Sequence, residues 1–79
     1  MVTHHPAAEG IARAVAEALA DAGISHKAAA DAALIPRTTL RRKLAGASPF
    51  TIPEIARLAT VLGLTPSDLM ARAEGGTAA

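Results

Sequence analysis

Seventy-nine residues make one small domain, too short for a catalytic domain with a separate regulatory one. Hydrophobic residues form 51% of the chain and charged residues 19%, so it buries a core instead of staying a solvated tail. The formal charge of +1 conceals a polarised layout: Arg37, Arg41, Arg42 and Lys43 have no acid among them, while the rest carries four bases against seven acids, net −3. With no cysteine there is no disulfide framework and no thiolate zinc site, which favours an intracellular setting.

Twenty-one alanines and a single aromatic, Phe50, make the composition helical, because alanine is the best helix former and sheets draw on β-branched and aromatic residues. The fold class expected is all-α, a compact bundle of about five short helices, with the domain over residues 7–74 between flexible tails at 1–6 and 75–79. Residues 1–6 lack the basic start and apolar run of a signal peptide, and charge interrupts every later apolar stretch before it reaches spanning length. A soluble cytoplasmic chain is expected. His4 and His5 are adjacent and so lack the i, i+4 spacing of a helical metal site; no metal, cofactor or small-molecule ligand is expected.

Glycines and prolines at Gly10, Gly23, Pro36, Gly46, Pro49, Pro53, Gly63, Pro66 and Gly75-Gly76 are spaced as loops between short helices would be. The first helix runs from about Ala7 to Ala22, with Ile11, Val15 and Leu19 forming its apolar stripe. Gly23 followed by apolar Ile24 matches a Schellman-type stop, and Ser25 N-caps a second helix reaching about Ala33. Pro36 presets the first turn of a third helix, residues 37–45, and makes 34–36 a turn. Gly46 stops that helix, Thr51 and Glu54 have capping-box spacing for a fourth, and Ile55, Leu58, Ala59 and Leu62 give it an apolar face. Thr65-Pro66-Ser67-Asp68 repeats the start signal for a fifth helix carrying Leu69 and Met70.

Two short helices joined by a three-residue turn, the second ending in a basic cluster, is the layout of a DNA-binding helix-turn-helix. The segment at 26–46, HKAAADAALIPRTTLRRKLAG, resembles the helix-turn-helix of the Cro/C1-type phage repressors, the XRE family of lambda-repressor-like domains. The segment TIPEIARLATVLGLTPSDLM is similar to that family's last two helices, so the resemblance spans roughly Ile11 to Met70. It implies double-stranded DNA as partner and transcriptional regulation, as a repressor, in the cytosol and at the nucleoid of a bacterium or phage-infected cell. Small residues belong at the helix crossing, and Ala29, Ala30 and Ala33 supply them, with Ile35, Leu40 and Leu44 filling the motif core. The chain departs from the pattern twice: Leu34 stands where the family usually has a turn glycine, and Lys43 occupies a place more often apolar.

At about 100° per residue, with Leu40 at 0°, Leu44 falls near 40°, Arg41 near 100°, Thr38 near 160° and Arg42 near 200°. Thr38, Arg41 and Arg42 thus face away from the core, on a helix slim enough for the major groove, where arginine donates twice to guanine O6 and N7. By resemblance the base-contacting positions are Arg37, Thr38, Arg41 and Arg42. Ser25, His26 and Lys27 at the start of the second helix, with Thr39, Lys43 and Ser48, are the phosphate-contacting set. Taken alone, a basic cluster on a helix is usually a solvated face.

No serine, threonine or carboxylate has a base beside it in a defined pocket and no glycine loop cradles a phosphate, so no enzyme is expected. The alternative is a small helical protein-binding module, such as an antitoxin or phage control protein, whose basic face meets an acidic partner. One domain on one half-site makes few base contacts, so a weak homodimer is expected through the last helix, with Leu69, Met70 and, in one reading, Phe50 at the contact. The other reading of Phe50 is a core plug beneath the third and fourth helices.

Overall fold

Four of the helix stops share one hydrogen-bond pattern, and that pattern fixes the path of the chain. The computed structural model describes residues 6–78, with side chains from 10 to 74, and five helices run in order through them. These are α1 (Pro6–Ala22), α2 (His26–Ala33), α3 (Arg37–Leu44), α4 (Ile52–Leu62) and α5 (Pro66–Ala78). At the end of α1, the Ile24 N–H donates to Leu19 O at 2.9 Å and the Gly23 N–H to Ala20 O at 3.1 Å, a Schellman closure. The pair of bonds recurs at Gly46–Ala47 and at Gly63–Leu64. Each of these glycines has a positive φ, between 70° and 83°.

The same closure ends α2, where Ile35 N–H reaches Ala30 O at 2.9 Å, but its left-handed residue is Leu34 at φ 59° and ψ 40°. The turn therefore keeps the geometry that suits glycine, and the leucine carries the strain. Among the described residues it is the one non-glycine with positive φ, and its side chain is 79% exposed. The left-handed region brings an L residue's Cβ too close to the following carbonyl, at about 1–2 kcal/mol. Leu34 recovers little of that cost by burial.

Helix starts follow the sequence closely. Ser25 Oγ accepts the Ala28 N–H at 3.0 Å, and Thr51 and Glu54 make both bonds of a capping box. Thr65 and Asp68 exchange a second reciprocal pair at 3.0 and 3.2 Å, with Pro66 opening α5. Two glycine readings are corrected. Gly10 lies inside α1, where a Cβ would stand 3.4 Å from Ala73 O, so it permits close approach of α1 to α5 and marks no loop. Gly75 and Gly76 do not end the bundle either, because α5 continues through them to Ala78. Of the expected N-terminal tail, residues 1–5, with His4 and His5, lie outside the described residues, and Pro6 begins α1.

The core is one cluster built from every helix: Val15 and Leu19 of α1, Ala29, Ala30 and Ala33 of α2, Leu40 of α3, Leu58 of α4 and Leu69 of α5. α1 packs most extensively along α5, whereas α2 lies against α3 and α4, which leaves the outer side of α3 uncovered. Phe50, 9% exposed, fills the core as a plug, and Leu69 is 1% exposed. Of the three side chains expected at a dimer contact, Met70 alone keeps substantial exposure, at 37%. No helix among the described residues is long and apolar enough to cross a membrane.

Candidate nucleic-acid interface

α3 is positioned by its apolar side and by what its neighbours do to its two ends. Leu40 is fully buried and Leu44 packs against the core while half-buried, which turns Thr38, Arg41 and Arg42 outward as the helical angles require. Arg41 and Arg42 have no hydrogen-bond or ion-pair partner among the described residues. Two guanidinium groups and the Thr38 hydroxyl thus stand together on an open helical face. Thr39 is half-buried on the flank, and Ser48, beyond the Gly46 stop, is half-buried as well.

The other two members of the basic cluster are engaged. Arg37 donates through Nε to Asp31 Oδ1 at 3.1 Å and through Nη2 to Asp31 Oδ2 at 2.8 Å, joining the first residue of α3 to α2. That hydrogen bond from Arg37 is the main cause holding the Asp31 carboxyl below its ordinary pKa, and the pairing raises that of Arg37 in turn. Lys43 corrects an expectation. Instead of standing free on the flank for a phosphate, its side chain is 12% exposed and its ammonium is bonded to Glu54 of α4. The place is semi-buried, as the family's apolar preference implied, and the lysine reaches it by carrying its charge to an acid.

Glu54 therefore serves two elements, since its Oε1 also accepts the Thr51 N–H at 2.8 Å in the capping box. Burial pushes its carboxyl up, but the bonds from Lys43 and from the Thr51 backbone outweigh that and leave it below its ordinary value. At the start of α2, the Ser25 hydroxyl is occupied as acceptor by its cap, while His26 and Lys27 are exposed on the first turn.

Periodicity gave no warning of Arg57. Its Nε donates to Ala33 O at 2.7 Å from 24 residues away, satisfying an end carbonyl of α2 beside the strained Leu34 turn. Asp31 was also unmarked, because its partner lies six residues on, across a turn that the helical repeat does not link.

The motif core behaves as one unit: Ala29, Ala30, Ala33 and Leu40 are fully buried, and Ile35 is 4% exposed. The side chains at the α2 crossing are thus no larger than methyl groups, which lets α2 and α3 pack against each other without a bulky side chain between them.

A search among curated proteins gives no match. Among solved structures, the chain is similar to the clp gene regulator ClgR from Corynebacterium glutamicum, with a TM-score of 0.88 and 21% identity, over 96% of this chain and 81% of that one. At that identity the likeness establishes the fold, an all-α helix-turn-helix bundle. The sequence matches the family described as a helix-turn-helix domain over residues 11–73, which takes in α2, the Leu34 turn and α3 together with the supporting helices. The chain belongs to the helix-turn-helix domain family.

Proposed function

We propose that this chain binds double-stranded DNA in a sequence-specific manner as a transcriptional regulator of the Cro/C1 (XRE) type, acting as a repressor. The observation that carries the reading is the pair Arg41 and Arg42, exposed and without a partner among the described residues, on the outer face of the second helix of a helix-turn-helix. A protein that only needed a solvated surface would gain nothing from two adjacent cations without acids. A major groove offers both of them acceptors. The likeness to the clp gene regulator ClgR supports the regulatory part of the reading.

In this reading Arg41, Arg42 and Thr38 read base edges, with Arg37 at the groove entry. His26 and Lys27 hold phosphate at the first turn of α2, where backbone N–H groups and the helix dipole add to their charge, and Ser25, Thr39 and Ser48 contribute hydroxyls. Lys43 is not in the phosphate set, because its charge is committed to Glu54.

The test is selection of fragments from a randomised duplex pool by the purified chain, followed by footprinting on the winner. A recovered consensus with major-groove protection is the expected result; a pool that stays random while the protein binds an acidic protein partner supports the module reading instead.

A further inference from the structure

We propose that Asp31 is a positioning residue for sequence readout: it grips the Arg37 guanidinium along its Nε–Nη2 edge and presents the Nη1–Nη2 edge to a guanine. The inference rests on the DNA reading above and adds a named device to it. An arginine carries five N–H donors in a rigid plane. The bonds to Asp31 use Nε–H and one hydrogen of Nη2, so the second hydrogen of Nη2 and one of Nη1 are left side by side along the Nη1–Nη2 edge. A guanine's O6 and N7 need two donors from one such edge, and the grip leaves them in place.

The surroundings favour base over backbone. Asp31 lies next to the guanidinium and cancels much of its net charge, and net charge is what a phosphate contact uses. Base reading depends instead on the direction of the donors, which a two-bond grip fixes. The pair is exposed, 55% for Arg37 and 57% for Asp31, so it adds little to folding. Lys27, one turn earlier on α2, further favours the ionised carboxylate. The grip also ties the first residue of α3 to α2 across the Leu34 turn, so the orientation of Arg37 is set by the same rigid motif that aims Arg41 and Arg42.

The experiment uses the chain, a duplex selected from a randomised pool, single-base-pair variants of that duplex and a scrambled duplex, with binding read by fluorescence anisotropy. Arg37→Ala should erase the preference at one base pair. Asp31→Asn and Asp31→Ala should weaken the preference at that same pair roughly fivefold or more, while affinity for the scrambled duplex is unchanged or rises because an acid near the backbone has gone. In the Arg37→Ala background, Asp31→Asn should change the preference no further. Preference retained in both Asp31 variants overturns the proposal, and so does an equal loss on selected and scrambled duplexes, which is what a merely structural role would give. A parent chain that binds no duplex overturns the DNA reading itself, a different result from either.

Discussion

Leu34 shows most sharply how one residue can be placed against its own preference. Its backbone is left-handed and its side chain lies in solvent, so replacement by glycine removes strain and forfeits little packing. Leu34→Gly is expected to raise stability by about 0.5–1 kcal/mol after the added flexibility of the unfolded chain is counted, read as a higher urea midpoint with an unchanged slope. A lower midpoint would mean that the leucine makes a contact worth more than its strain. The sequence already contained the question, because the Schellman pattern ends on glycine at Gly23, Gly46 and Gly63 and on leucine here. What it could not reveal was whether the turn or the residue gives way. The outcome depends on Ala30, Ile35 and the Arg57 bond to Ala33, which pin the turn from outside.

At the scale of elements, the Lys43–Glu54 pair links α3 to α4, and its two side chains are only 12% and 13% exposed. Lys43→Ala leaves a mostly buried carboxylate without its cation, so a loss of about 1–3 kcal/mol is expected, with the salt dependence of DNA binding unchanged. A slope lowered by about one unit would instead assign Lys43 to a phosphate. The pH dependence follows from the lowered carboxyl of Glu54. Its stabilising contribution is complete above the ordinary value of 4.5 and is lost as pH falls through the lower value of the folded chain. Glu54→Gln should therefore be less stable near neutrality and lose less on acidification, measured by denaturant midpoints at about pH 7 and pH 3.5. Arg57→Ala, which strips the donor from Ala33 O, is expected to cost about 1 kcal/mol.

Helix starts and stops were legible in the sequence because caps are local: Ser25, Thr51, Thr65 and the stop glycines act within a few residues of themselves. The ion pairs were not, since Arg37 and Asp31 meet across a turn and Lys43 and Glu54 across a loop. Among the described residues, those pairs separate the basic cluster into two cations without an acid, Arg41 and Arg42, and two committed ones. Gly10 misled for a related reason: inside a helix, its missing side chain serves a neighbour 63 positions away at Ala73, which no local pattern marks.

For the whole molecule, the consequence is a smaller cationic surface than the charge count suggests. Arg37, Lys43 and Arg72 each face an acid, so among the described residues the cations of α3 that keep their charge unpaired are Arg41 and Arg42, with Lys27 exposed on the first turn of α2. A log–log salt slope of about −2 to −4 per chain is expected, corresponding to a few neutralised phosphates. With Phe50 and Leu69 in the core, the expected α5 contact keeps only Met70, so we expect the chain to sediment as a monomer at micromolar concentration and to pair on DNA, protecting two half-sites about 10 base pairs apart. Protection without a dyad, at one chain per duplex, would contradict the pairing and leave DNA binding intact.

The central claim, that α3 reads bases through Arg41 and Arg42, is tested most directly by titrating Arg41→Ala and Arg42→Ala against the selected duplex and a scrambled one. Each is expected to lose about 1–3 kcal/mol on the selected site and to flatten the preference at one base pair, with a smaller loss on the scrambled duplex. If both variants kept the full sequence preference of the parent chain, α3 would not be the recognition helix.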